Sequence, residues 1–407
     1  MGSTFTWLDY SEHERRKMLD AIALLRERTT RDELGLGGVR DAFADLMFPG
    51  TSTVQTVAKY FLFVPWIYLA LERKGTPSAK VALQARKAEI ALAQELEESG
   101  ETGGVIGRIA KETLQRLPSS IYWQGLHRWG IRIFGGSQDE YHRSLDVFYQ
   151  RLRARKSGRH EHEGETADEP DLHNWHVGLP KPDDGFPEGA ALPLNVEEAR
   201  YLRERILANC SQSLLAYLVR EHVDVEEIPF VWDLPQELPE KLRNQVEHGR
   251  NFSQTMHGAQ LLYNLILAEK RVWSEHVDVY RGDLEVWRQR IEKRISALYA
   301  WDRQDFWRVV YHGNPRVSPR ARSFVNSWLD LAIFPANVVA LADKQAARQL
   351  VEDREVQLKG SLARVRNQRA RDLWNGEAGA AQLDLRWTSA RGIVSDILAG
   401  SEAKAHA

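Results

Sequence analysis

The chain reads as an all-α, multi-helix protein, and three observations predict that class. Apolar residues recur at threes and fours over most of its length. Val54, Val57, Ala58, Phe61, Leu62, Pro65, Tyr68 and Leu69 mark one such face; Leu242, Val246, Phe252, Met256, Ala259, Tyr263 and Leu267 mark another. Helix-start signals precede these stretches: Ser11 with Glu14, Ser52 with Gln55, Asn195 with Glu198, and Ser318 before Pro319. Only 382–387 (QLDLRW) alternates as a strand would, and no Asn-Gly turn joins two such runs.

In order, helices are expected at 11–27, 39–47, from Thr53 into the apolar run 60–71, and at 81–98, 105–117, 120–133 and 138–156. The run 60–71 is apolar on every side and is expected as a buried strut, kinked at Pro65 and ended by Glu72, Arg73, Lys74 and Gly75. Composition then shifts. Residues 151–159 are basic, 161–171 acidic, and 179–193 carry four prolines, the pattern of an exposed linker. Helix resumes after Asn195, and a long pattern covers 240–276 with Gly258 as its weak point. Further helices are expected at 284–301, 305–311, 319–334, within 338–374 and at 389–398. The expected organisation is two helical domains, 1–157 and 194–407, joined by the linker 158–193.

With 55 basic and 57 acidic residues among 407, charge is near balance. That excludes a general polycationic coat for nucleic acid but not a local basic patch. One cysteine, Cys210, excludes an internal disulfide or a cysteine-based zinc module and fits a reducing cytoplasm. The first residues lack a basic segment followed by an apolar core, so no secretory signal is expected. The longest apolar run falls short of the roughly 18 residues a membrane span needs. A cytoplasmic protein without a membrane segment is the expectation.

Several constellations are candidates for binding, each with a plainer reading beside it. Lys359, Arg364, Arg366, Arg369 and Arg371 form a basic run without an intervening acid, and Arg316, Arg320 and Arg322 a second patch; both suit phosphates or a solvated face. Residues 104–133 suit a helix-turn-helix offering Arg108, Lys111 and Arg128, or an ordinary helix pair. Thr51, Ser52 and Thr53 at a helix start suit an anion or plain capping; the lysine of a phosphate loop is missing. His160, His162, His173 and His176 have metal-ligand spacing but fall in or beside the linker, so no metal and no cofactor are expected. His248 and His257 lie on opposite sides of one helix. Asp353, Glu355 and Lys359 loosely imitate a nuclease pattern, and HExxH, GxSxG, GxxxxGK[ST] and CxxC are all absent.

Taken together, FTWLDYSEHERRKMLD, RDELGLGGVRDAFADLMFPGTSTVQT, YFLFVPWIY, LPSSIYWQGLHRWGI, MHGAQLLYNLILAE and LDLRW resemble an uncharacterised bacterial family, domain of unknown function family 6361. The resemblance spans nearly the whole chain. It carries no catalytic residues with it, and Val57 and Lys59 stand where the family often has arginines. It implies proteins encoded in phage-defence gene clusters, beside helicases and nuclease-like proteins. The expected function is therefore a non-catalytic accessory or scaffold component of anti-phage defence, binding protein partners and DNA. The alternatives are a nuclease-like enzyme without a visible motif and a purely structural subunit.

Overall fold

The computed structural model of the chain describes residues 32–101, 103–108, 114–161, 172–235, 237–333 and 341–402. The helix expected at 11–27 lies outside them. The described residues are mostly helical, with no sheet among them and a single isolated bridge, Arg132 to Trp175. The chain divides into two compact units, each discontinuous in sequence. Unit 1 is Met1–Phe43 with Asn244–Leu385; unit 2 is Ala44–Arg243 with Arg386–Ala407.

The helices run in order α1 (Gly37–Met47), α2 (Tyr60–Arg73), α3 (Ser78–Glu98), α4 (Pro118–Arg128), α5 (Gln138–Glu161), α6 (Val196–Cys210) and α7 (Leu214–Arg220). They continue as α8 (Glu240–Lys270), α9 (Ser274–Lys293), α10 (Ile295–Tyr299), α11 (Arg303–Gly313) and α12 (Pro319–Ala332). The last three are α13 (Gln345–Lys359), α14 (Gln368–Asp372) and α15 (Trp387–Glu402).

In unit 2 the apolar run is the strut that its composition demands. Every residue of α2 from Tyr60 to Tyr68 is buried, and the helix passes through Pro65 and ends within the charged trio, at Arg73 with Lys74 as its C-cap. Phe61 stacks on Trp129 at 3.8 Å between ring centroids and meets Tyr122 edge-on at 4.9 Å. Trp129 Nε1 donates to the Pro49 carbonyl at 2.8 Å. Gly50 there has φ +86°, and a Cβ on it would stand 2.4 Å from that nitrogen, so only glycine fits this turn.

Helix does not begin at Thr53, as the Ser52–Gln55 signal predicts, but at Tyr60. Residues 51–59 stay irregular because their amides find partners elsewhere. Tyr122 Oη accepts from the Thr56 and Val57 amides at 2.9 and 3.3 Å and donates to the Val57 carbonyl at 2.9 Å. Asp396 of α15 accepts from the Ala58 amide at 2.7 Å. Only half of the capping box forms, with the Ser52 amide donating to Gln55 Oε1 at 3.0 Å.

The helix expected at 105–117 is also absent where the chain is described. Gly104 and Gly107 take φ of +78° and +97°, and Ile106 donates its amide to Tyr60 Oη at 2.9 Å. In place of a preceding helix, Glu89 of α3 satisfies the first turn of α4, accepting from the Ser119 amide and hydroxyl, both at 2.7 Å. The Asn195–Glu198 signal, by contrast, forms a complete capping box on α6. Glu198 is also the counterion of buried Lys59, at 2.6 Å.

The described part of the proline-rich segment, 172–193, is built into unit 2. Trp175 is buried, and the Asn174 side chain and Trp175 Nε1 both donate to Glu72, each at 3.0 Å. Trp66 Nε1 donates to the Pro180 carbonyl at 2.7 Å, and Phe186 packs against Phe63 and Trp66. Acceptors and aromatic rings on α2 hold a stretch whose composition alone suggests a free linker.

In unit 1 the long pattern is one helix, α8, uninterrupted at Gly258. A Cβ at Gly258 would meet the Trp287 ring at 2.4 Å, so the glycine admits the indole of α9 rather than weakening α8. Residues 382–387 form no strand: Leu385 and Arg386 have φ of +55° and +71°, which breaks the alternation. Gly360, at φ +56°, ends α13 and divides the helical pattern expected within 338–374.

Burial pushes the Asp396 carboxyl up to about 6, against the single Ala58 amide that favours its ionised form. A carboxyl raised in the folded state contributes stability below its unfolded pKa and loses it as pH rises through the folded one. Asp396→Asn keeps an acceptor for Ala58 and removes this loss. It should unfold like the wild type near pH 4 and gain up to about 3 kcal/mol over it by pH 8, read from urea titrations across that range; parallel pH profiles would contradict the assignment.

Candidate functional site

Along α8, Ser253, His257, Gln260 and Asn264 follow one another at four, three and four residues, one stripe on one face. Each holds a carbonyl of the irregular segment 378–383. Ser253 Oγ donates to the Leu383 carbonyl at 2.6 Å, His257 Nε2 to Ala380 at 3.0 Å, and Gln260 Nε2 to Gly379 at 2.7 Å. The wholly buried Asn264 grips both sides of residue 378, donating to its carbonyl at 3.0 Å and accepting from its amide at 2.9 Å.

Beside this ladder a cleft of about 530 Å³ opens between α8, α9 and residues 375–381. His276, Tyr280, Asp283, Trp287 and Arg290 line it from α9, His257 and Leu261 from α8, and Asn375 and Glu377 from the loop. Tyr280 Oη donates to the Gly376 carbonyl at 2.7 Å, which pins the loop to α9. Gly376 has φ +99°, and a Cβ on it would lie 2.3 Å from His276 Nε2, so the imidazole rests directly on the loop backbone. Burial pushes His257 down to about 4, which keeps it neutral. Burial, then the carboxylates of Glu377 and Asp283, push Tyr280 up to about 12. A cleft of this size lined by converging polar groups is the usual form of a small-ligand site.

The basic candidates separate into interior and surface. Lys359 and Arg364 are not on a solvated face. Lys359 pairs with Glu33 and, at 3.1 Å, with Glu355, while Arg364 pairs with Glu33 at 2.8 Å. Burial opposes both cations, but Glu33 and Glu355 outweigh it at Lys359, and Tyr263 and Glu33 at Arg364, so both pKa values rise. The wholly buried Glu355 also accepts from Tyr263 Oη at 2.6 Å and from the Arg364 and Val365 amides at 2.9 Å each. Its oxygens are thus occupied by four protein donors, while Asp353 is exposed and bonded to Gln349. The nuclease-like spacing therefore brings no common site together.

Arg371 is half-buried and donates to the Arg364 carbonyl at 2.8 Å; Arg366 and Arg369 are exposed. Arg316, Arg320 and Arg322 are all exposed around the first turn of α12, with no carboxylate partner among the described residues. The Arg322 guanidinium lies over Trp307 and Tyr311 of α11, at 5.5 and 5.9 Å from the ring centroids. Arg108 and Arg128 are exposed, and among the described residues of 103–117 there is no helix to pair with α4 as a helix-turn-helix needs; Lys111 lies outside the described residues.

Thr51, Ser52 and Thr53 do not form an anion cradle, because no helix starts there. The Thr51 amide and hydroxyl both donate to the Phe48 carbonyl, and Thr53 is exposed. His248 and His257 turn to different neighbours: His248 accepts from Trp301 Nε1 at 2.7 Å and bonds Asp305 at 3.0 Å. His176 bonds Arg205, His173 is exposed, and the side chains of His160 and His162 are outside the description. Among the described residues no three histidine, cysteine or acidic side chains gather as metal ligands, and no helix is long and apolar enough to cross a membrane.

The cleft has no short motif behind it. Its residues come from 257–290 and 375–381, and the one local signal is the polar stripe on a largely buried helix.

Compared with known proteins, residues 2–401 match one family model, described as Family of unknown function (DUF6361). No curated protein and no solved structure matches the chain.

The interior and surface cations should separate in stability. Arg364→Ala leaves buried Glu33 short of a partner and should cost about 3–5 kcal/mol. Arg320→Ala should stay within about 0.5 kcal/mol of the wild type. Urea unfolding of both variants decides, and equal losses would contradict the placement.

Proposed function

Since the chain belongs to the family of unknown function DUF6361, whose description names no activity, we propose its role from the surface it presents: a binding component that docks DNA on the arginines around the start of α12. One observation carries this reading. Arg316, Arg320 and Arg322 stand exposed within seven residues and without a carboxylate partner among the described residues, whereas other arginines of the same unit are ion-paired. Arg281 is matched by Glu269 and Asp343, Arg288 by Glu285 and Glu292, Arg303 by Asp330, and Arg308 by Asp305. Unmatched guanidinium groups can neutralise phosphates and release the counterions condensed on DNA, a main source of affinity for nucleic acid. Arg322 over Trp307 and Tyr311 adds a planar cation on an aromatic support, which suits a backbone flanked by stacking bases. Arg366 and Arg369 would extend the contact.

The family resemblance supports placing this activity in the cytoplasm of a bacterium, as an accessory part of phage defence beside a helicase or nuclease-like partner. Duplex DNA should bind with an affinity that falls steeply between about 50 and 200 mM salt. The triple variant R316A/R320A/R322A should bind more weakly, with a salt slope shallower by about three. Affinity indifferent to salt, or unchanged in the triple variant, would sink the reading. Co-purification of the expressed gene cluster tests the accessory role, which fails if this chain elutes alone at low salt.

A further inference from the structure

We propose that the cleft between α8, α9 and residues 375–381 binds a small organic cation with several N–H donors, of the alkylammonium or guanidinium class. The argument starts from which hydrogen-bonding capacity the lining has left. Both aromatic donors are spent: Tyr280 Oη on the Gly376 carbonyl, and Trp287 Nε1 on the Gln254 carbonyl at 2.8 Å. Arg290 Nη1 is held by Gln382 Oε1 at 2.6 Å. His257 must carry its proton on Nε2 to donate to Ala380, which leaves Nδ1 an acceptor, and no donor reaches that atom. Nδ1 of His276 is likewise buried without a partner.

Asp283 and Glu377 are exposed carboxylates at the cleft, and no cation bonds either among the described residues. Arg290 keeps its other N–H groups and Asn375 its side-chain amide, but the exposed capacity of Asp283 and Glu377 is acceptor alone. Two acids against Arg290 leave the lining one negative charge in excess. Asp283 and Arg290 are seven residues apart on α9, about 10 Å along the axis, so the arginine leaves the carboxylate end of the cleft open to a cation. Val279 and Val286, both exposed on α9, supply apolar surface beside it, which favours an organic cation over a strongly hydrated one. A metal ion is not the expected occupant, since the acids and imidazoles do not gather into a ligand set.

Isothermal titration of the full chain tests this with three probes: agmatine, the capped peptide acetyl-Gly-Arg-Gly-amide, and citrate. Saturable binding of agmatine or of the peptide, without citrate binding, is the expected result. Tighter binding of agmatine identifies a free amine as the natural ligand, and tighter binding of the peptide a protein side chain. D283N/E377Q alters only exposed groups, should melt with the wild type, and should weaken binding about tenfold or more. The proposal is overturned if neither cation binds at millimolar concentration, if citrate binds instead, or if the double variant binds as tightly as the wild type. None of these outcomes depends on the arginines at α12.

Discussion

A buried peptide group outside a helix needs a partner that the helix ladder does not supply, and both units are arranged around meeting that need. In unit 1, Asn264 closes on both sides of residue 378, and Glu355 takes the amides of Arg364 and Val365. In unit 2, Tyr122 serves both Thr56 and Val57, and Asp396 serves Ala58. Each partner is a polar side chain fixed on a rigid helix, so the irregular segment inherits the position of the helix. Leaving one such group without its partner costs about 1–3 kcal/mol. These few contacts thus determine where the non-helical parts of the chain run.

The cleft follows from the same constraint. Residues 375–381 stand beside α9 because α8 holds 378–383 and Tyr280 holds Gly376. The lining is then built with the Tyr280 and Trp287 donors committed and the Asp283 and Glu377 carboxylates left over. The ion cluster around Glu355 works in the opposite sense. There two cations and two acids, Lys359, Arg364, Glu33 and Glu355, pair with one another inside unit 1. Charge that a sequence count assigns to the surface is here internal structure, whereas the arginines around α12 are among those exposed outside.

Much of the fold was legible from periodicity. α2 as a buried strut, the capping box of α6, the Ser318 N-cap before Pro319 on α12, and the absence of a sheet among the described residues all follow from local spacing of apolar and capping residues. The failures share one physical cause. Ser52 and Gln55 have the right spacing for a helix start, but Tyr122, far along the chain, takes the amides that a helix would use. The alternation of 382–387 is real, yet with no neighbouring strand its polar groups pair with side chains of α8 instead. The cleft was not legible, since its residues gather from two distant stretches.

The sequence by itself determined the helical class, the buried strut and several helix starts, because those depend on residues three or four positions apart; the helix expected at 284–301 instead begins at Ser274 and ends at Lys293. Only the tertiary structure decided which cations face water, where residues 51–59 and 172–193 settle, and that His257, Asp283 and Glu377 share one cleft. These depend on partners brought together by packing from distant parts of the chain, and spacing along the chain carries no record of them.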